Sequence, residues 1–176
     1  FDLHGKTVGV IGTGRIGRVF VDICLGFGMN VLAYDKYPSY EICDAKVKYV
    51  SLDTLFKNSD IISLHCPLTA ETEGLVNTEF LKKMKSSAYL INTSRGPVIN
   101  EDDLAAALNE GIIAGAGLDV LSEEPANKNN PLLKCDNCFI TPHIAWASLE
   151  ARTRLMNIFE GNIKAFLEGN PRNVVN

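Results

Sequence analysis

Lys6-Thr-Val-Gly-Val-Ile-Gly-Thr-Gly-Arg-Ile-Gly17 is the stretch on which the fold turns. Lys6 to Ile11 is a short apolar run of β type, bounded by glycine, and it predicts a buried strand. Gly12-Thr13-Gly14-Arg15-Ile16-Gly17 then fits the spacing G-x-G-x-x-G. From Arg15 onward Ile16, Val19, Phe20, Ile23 and Phe27 recur at steps of three and four, which predicts a helix over 15–28 stopped by glycine. A strand, a glycine turn and a helix in that order suit a phosphate-binding βα turn. Gly12 permits the tight turn, Gly14 lets backbone approach a diphosphate, and Gly17 allows close helix–strand packing. Free N–H groups and the positive helix end favour the anion there, and Arg15 can add a charge-assisted bond.

The second half of that fingerprint is an acid at the end of the next strand. Asn30-Val-Leu-Ala-Tyr34 reads as that strand, and Asp35 follows it directly, eighteen positions after Gly17. A carboxylate there accepts hydrogen bonds from both ribose hydroxyls of NAD and repels the 2′-phosphate of NADP. NAD is therefore the expected cofactor, with Lys36 softening the exclusion of NADP.

Outward from this unit, apolar strands and helical patterns alternate to the end of the chain. Strands are expected at 60–64, 88–91, 113–118 and 138–141, and helices at 52–58 and 101–110. Thr78 is expected to cap a helix whose Phe80, Leu81 and Met84 face inward, and 122–137 to form a surface loop. Ser148 is expected to cap a long final helix reaching about Leu167. The class implied is α/β, a doubly wound parallel sheet of the Rossmann type covered on both faces. Right-handed crossovers place the carboxyl ends of the strands along one edge, where ligands of such sheets bind.

Composition narrows the partners. The chain has 176 residues, 46% hydrophobic and 22% charged, enough for a real core without covalent staples. No run approaches the ~18 apolar residues of a membrane span. Seventeen basic against 21 acidic residues give a formal charge of −4, with no block of either sign, which disfavours nucleic acid as a partner. Of the five cysteines, Cys24 and Cys66 read as small buried hydrophobes. Cys135 and Cys138 form a C-x-x-C without a second pair at zinc spacing, so no metal site is expected. Nothing calls for an oxidising compartment, and the default setting is cytoplasmic.

Four polar residues fall just beyond strand ends: Arg95 in Asn92-Thr-Ser-Arg-Gly-Pro97, Asp119 after Gly117-Leu118, Glu124 in Glu123-Glu-Pro125, and His143 in Thr141-Pro-His-Ile144. His, Glu and Arg together suit proton transfer beside a carboxylate-bearing substrate, because an acid partner favours the imidazolium and Arg offers a carboxylate a planar fork. Spacing alone also fits structural roles: a packed His143, Arg95 capping a sheet edge, a solvated Glu124, Asp119 serving its own turn.

Taken together, Gly5 to Gly17, Asp35, Leu64-His-Cys-Pro-Leu-Thr69, Asn92-Thr-Ser-Arg-Gly96, Gly117-Leu-Asp-Val120, Glu123-Glu-Pro125 and Thr141-Pro-His-Ile-Ala145 resemble, in order, the cofactor domain of the D-isomer-specific 2-hydroxyacid dehydrogenases. The resemblance covers essentially the whole chain. It implies His143 as acid/base, Glu124 as its hydrogen-bonded partner, and Arg95 as the residue that holds the substrate carboxylate and polarises the C2 carbonyl. It implies Asp119 on the nicotinamide side, Cys66 and Pro67 on the adenosine side, Thr72 near phosphates or ribose, and backbone around Thr93, Ser94 and Ala145 at the carboxamide. The reaction implied is hydride transfer between NADH and a 2-oxo acid, giving a D-2-hydroxy acid.

Within that family, Thr141 to Ser148 followed by Glu150-Ala-Arg-Thr-Arg-Leu155 is most similar to glycerate dehydrogenases (hydroxypyruvate reductases). D-lactate and phosphoglycerate are the alternative substrates, and a non-catalytic NAD-sensing module is the alternative class. Family members carry a substrate lobe that this chain does not contain. The expectation is therefore a cofactor domain over 1–147, with a helix over 148–176 that returns to the other lobe and leaves Leu155, Ile158 and Phe159 exposed. The resemblance also implies a homodimer formed through the cofactor domain.

Overall fold

The computed structural model describes residues 2–44 and 46–175. The chain falls into two compact units, one ending at Pro142 and one beginning at His143. His143 to Ala147, grouped with the cofactor domain in the sequence expectation, belong with the second unit.

The first unit is built in chain order from β1 (Thr7–Ile11), α1 (Arg15–Gly26), β2 (Asn30–Tyr34), β3 (Val47–Tyr49), α2 (Leu52–Asn58), β4 (Ile61–Leu64), α3 (Thr78–Leu81), β5 (Tyr89–Asn92), α4 (Glu101–Asn109), β6 (Gly115–Leu118) and β7 (Cys138–Ile140). All strand pairs are parallel, in the order β3-β2-β1-β4-β5-β6-β7. The chain steps outward from β1 through β2 to β3, then crosses back to β4 on the other side of β1. This reversal opens a crevice beyond the carboxyl ends of β1 and β4, the binding place of open α/β sheets.

Register fixes what lines that crevice. Tyr34, Ile11, Leu64, Asn92, Leu118 and Ile140 pair in turn across six strands. The residues that follow them, Gly12, Asp35, His65, Thr93, Asp119 and Thr141, therefore share one edge.

The central strands are buried on both sides, whereas the edge strands β3 and β7 are partly exposed. Val8 and Val10 pack with Val21 and Cys24 of α1 in one core cluster, while Ile11 joins Leu55, Phe56, Leu64 and Leu90 in the other. Alternate residues of β1 thus serve opposite faces. Among the described residues, no helix is long and apolar enough to cross a membrane.

Several local expectations need correction. The apolar steps of α1 mark the helix but not its buried face: Gly17, Val21 and Cys24 are buried, whereas Ile16, Val19, Ile23 and Phe27 are exposed. The cap of α3 is Asn77, not Thr78, because the Asn77 carboxamide oxygen accepts from both Glu79 N and Phe80 N. The stretch 122–137 is not wholly surface loop. It contains a 3-10 turn at Pro131–Lys134 that buries Leu132, and the buried Asn130 caps that turn. β3 had no clear signal, since a three-residue edge strand with Lys48 at its centre is too short and polar to stand out.

In the second unit, Ser148 Oγ accepts from Ala151 N at 3.2 Å and starts α5 (Leu149–Leu167). Leu155, Ile158 and Phe159 are exposed, and Arg172 returns to donate to the Gly161 carbonyl.

Candidate active site at the sheet edge

The loop after β1 is built on close approach. Gly12 is buried with φ +95°, and a Cβ there would lie 2.5 Å from Cys66 N and 2.6 Å from His65 C. Gly17 sits equally close to the Gly12 carbonyl, so that only hydrogen fits between the start of α1 and the loop. Gly14 differs: a Cβ there meets nothing within 4 Å. It is the N-cap of α1, with no side-chain cap and no acid in the first turn. The helix start is thus bare, positive and open, as a diphosphate requires. Arg15 and Ile16 flank it, both exposed.

Asp35 stands opposite, held from three sides. Its Oδ2 accepts from Thr13 N at 2.6 Å and Thr13 Oγ1 at 3.1 Å, and its Oδ1 accepts from Tyr37 N at 2.8 Å. Thr13 Oγ1 also lies 2.7 Å from the Tyr49 hydroxyl. The carboxylate is fixed in place and retains further acceptor capacity. Thr13 was not identified from sequence, since the second position of the turn accepts any small residue and no local pattern marks it.

Two clefts meet at this edge. One of about 650 Å³ is lined by Gly12, Asp35, Lys36, Cys66, Pro67 and Thr72, among others. Thr72 Oγ1 donates to the Pro67 carbonyl at 2.7 Å and braces that wall. The other, about 410 Å³, is lined by Ile16, His65, Cys66, Pro67, Thr93, Ser94 and Arg95. Cys66 and Pro67 belong to both, so the walls are continuous, and each volume lies in the range of small-molecule sites. Burial pushes the Cys66 thiol up and holds the His65 imidazole below its ordinary value. Cys66 is thus a neutral lining group rather than a nucleophile at neutral pH.

Arg95 is posed by a residue not identified from sequence. Asn92 is completely buried: its Nδ2 donates to the Arg95 carbonyl at 2.9 Å, and its Oδ1 accepts from Ser94 N and Ser94 Oγ. The tight turn leaves Arg95 exposed, with its Nη1 donating to the Ser94 carbonyl. Next to it, Gly96 packs so closely on Leu121 that a Cβ would fall 2.0 Å from the Leu121 carbonyl carbon. The turn after β5 is thereby docked on the loop carrying Glu124.

Glu124 is exposed, and its Oε1 accepts from Leu121 N at 3.1 Å. Asp119 is buried, with Oδ1 accepting from Thr141 Oγ1 at 2.5 Å. His143 and Ala145 belong to the second unit and are exposed; His143 has φ +54°, and its carbonyl accepts from Trp146 Nε1. The first unit therefore brings together Gly12, Gly14, Arg15, Ile16, Gly17, Asp35, Cys66, Pro67, Thr72, Thr93, Ser94 and Arg95 at its ligand edge. Asp119 and Glu124 follow the end of β6 on that edge.

Burial also pushes up the thiols of Cys135 and Cys138, the latter to about 11. Among the described residues, no group of three His, Cys, Asp or Glu is placed to hold a metal ion.

A glycine-cradled helix start facing a fixed carboxylate across a topological switch point defines a Rossmann-type dinucleotide-binding domain. The family model for the NAD-binding domain of D-isomer-specific 2-hydroxyacid dehydrogenases matches residues 1–145, and the chain belongs to that family as its NAD-binding domain. It is 53% identical over 175 residues to the hydroxypyruvate reductase of Blautia hydrogenotrophica, covering 99% of this chain and 54% of the relative. It is 46% identical to the glyoxylate reductase of Thermofilum pendens, covering 96% of this chain and 50% of the relative. Among solved structures, the NAD-complexed D-isomer-specific 2-hydroxyacid dehydrogenase of Lactobacillus delbrueckii ssp. bulgaricus superposes with a TM-score of 0.88 at 35% identity, over 100% of this chain and 57% of that one. The chain spans about half the length of the relatives it matches.

Proposed function

We propose that this chain supplies the cofactor half of a reductase of short 2-oxo acids, with hydroxypyruvate the first substrate to test and D-glycerate its product. The observation that carries this reading is the pair of adjoining clefts, with Asp35 at one end and Arg95 at the other. NADH, when bound, supplies the hydride that reaches C2 of the oxo acid. Asp35 takes the ribose hydroxyls, and the bare start of α1, with Arg15, takes the diphosphate. Arg95 pairs with the substrate carboxylate and draws charge from the C2 carbonyl. His143, as imidazolium, gives its proton to the developing alkoxide and is left neutral. Glu124 is assigned, on the family resemblance, as the acid that accompanies His143. Asp119, Thr93, Ser94 and Ala145 are assigned to the nicotinamide end.

Hydroxypyruvate over glyoxylate, lactate or phosphoglycerate is supported by the 53% identity to a hydroxypyruvate reductase and by the Thr141–Ser148 motif with Glu150–Leu155. A homodimer through this domain is supported by the exposed apolar side chains Val19 and Ile23 on α1 and Phe27 just beyond it. A cytoplasmic setting is supported by five cysteines that all stand as free thiols.

The test is NADH oxidation by the full-length protein with hydroxypyruvate, glyoxylate and pyruvate, beside His143→Asn. The expected result is turnover with hydroxypyruvate, lost in the variant while NADH still binds. NADH binding without turnover of any 2-oxo acid would replace the enzyme with an NAD-sensing module.

A further inference from the structure

Lys36 directly follows Asp35, where an ammonium would be free to meet a 2′-phosphate. The structure places it elsewhere. Its Nζ donates to both oxygens of Glu71, at 2.5 and 2.7 Å, across 35 residues of sequence. Both side chains line the same cleft as Asp35. Glu71 sits on a turn that holds its own shape: Thr69 N donates to Thr72 Oγ1, Glu71 N to Thr69 Oγ1, and Thr72 Oγ1 to the Pro67 carbonyl. The carboxylate is thus delivered by a preformed wall of the cleft.

The pair has little value as a strut. Both partners are more than half exposed, and ion pairs of that kind add little to stability. Its effect falls on charge. Asp35 and Glu71 together place two negative charges against the single cation, so the wall repels a phosphate that Lys36 alone would attract. The paired carboxylate favours the charged ammonium further, so the cation is restrained rather than lost.

We propose that Glu71 determines cofactor choice by pinning Lys36, so that the domain prefers NAD to NADP more strongly than Asp35 alone would make it. This rests on the dinucleotide reading of the same cleft. Freed, the ammonium can make a direct charge-assisted contact with a 2′-phosphate.

The experiment is calorimetric titration of the chain with NADH and NADPH at low ionic strength. The variants are Glu71→Gln, Lys36→Met and the double variant, with a thermal melt of each. Glu71→Gln should raise the NADPH-to-NADH affinity ratio about five- to tenfold, as expected for one charge freed near a phosphate in water, with no change in melting temperature. Added salt should shrink that gain. In the Lys36→Met background, Glu71→Gln should gain no more than about twofold, since a solvated carboxylate beyond contact distance is screened. An unchanged ratio in Glu71→Gln, with NADH bound by the unaltered chain, overturns the role of Glu71 alone. A full gain without Lys36 overturns the pinning. No NADH binding by the unaltered chain overturns the dinucleotide reading and this proposal with it.

Discussion

The Asp35 cleft and the Arg95 cleft share Cys66 and Pro67 but are built by different means. Around Asp35 the working surface is mostly backbone: a glycine turn, a helix start and one carboxylate fixed by the neighbouring loop. Around Arg95 the working groups are side chains at the ends of two strands, set by a buried asparagine and a loop-on-loop contact. The glycine turn and the acid of the first cleft lie within one βαβ unit, and the loop after β4 closes its other wall. The second is lined by the loops after β4 and β5 and exists only when those two strands are paired. Local construction survives injury elsewhere, whereas distributed construction fails at any of its joints.

A reciprocal pair of alanine substitutions should break the symmetry most sharply. Gly12→Ala forces a Cβ into backbone at a positive φ, and neither Cys66 N nor His65 C can move cheaply. NADH affinity should fall by about a hundredfold or more, as for a lost turn conformation and a displaced helix start together. Gly96→Ala collides with Leu121 instead and should cost about 3 kcal/mol of stability. Its folded fraction should still bind AMP within about threefold, because nothing in the Asp35 cleft has moved. Urea melts with NADH and AMP titrations check both, and equal loss of AMP binding in the two variants would mean the clefts are not separable.

Asn92→Ala should cost about 2–3 kcal/mol, since it strands buried partners in the turn that poses Arg95. AMP affinity should again hold, while in the full-length protein KM for the oxo acid should rise.

The same contrast explains what could be read from the sequence. The strand at 30–34 and the helix at 52–58 were visible at their true limits because each is a complete local pattern. Gly12, Gly17 and Asp35 were visible because the turn and the acid it faces lie within one unit. The partner strand of Val31, at Val47, was not, because edge pairing adds no local signal. The most regular apolar row of α1, Ile16-Val19-Ile23, marks the helix but is exposed, while Gly17, Val21 and Cys24 make the packed side. Asn92 and Glu71 carried no signal, since each acts through partners set by the folded turn or by another loop.

Asp35→Ala should weaken NADH binding roughly tenfold or more, the scale of a lost charged acceptor, and weaken NADPH less. Because the carboxylate also holds Thr13 N and Tyr37 N, Asp35→Asn is the cleaner comparison. Equal losses for both cofactors would remove the carboxylate from ribose recognition.

The smallest expected effect lies where the two constructions are tied together, at the amino ends of the strands. Asp60 Oδ2 accepts from Thr7 N at the start of β1, and Oδ1 accepts from Lys85 Nζ at 2.8 Å, before β5. Burial acts to raise the pKa of this carboxyl, but the Lys85 and Thr7 hydrogen bonds outweigh it and hold it below the ordinary aspartate value. A depressed folded pKa means that the unfolded chain binds more protons. The stabilisation is therefore complete above the unfolded value of about 4 and is lost as pH falls through the lower folded value. Urea unfolding between pH 6 and pH 3 should show this group's share, about 1 kcal/mol for one charged hydrogen-bonded pair, vanish from the slope in Asp60→Asn. An unchanged slope would mean that the halves are joined by β1–β4–β5 pairing alone, with Asp60 a bystander at their seam.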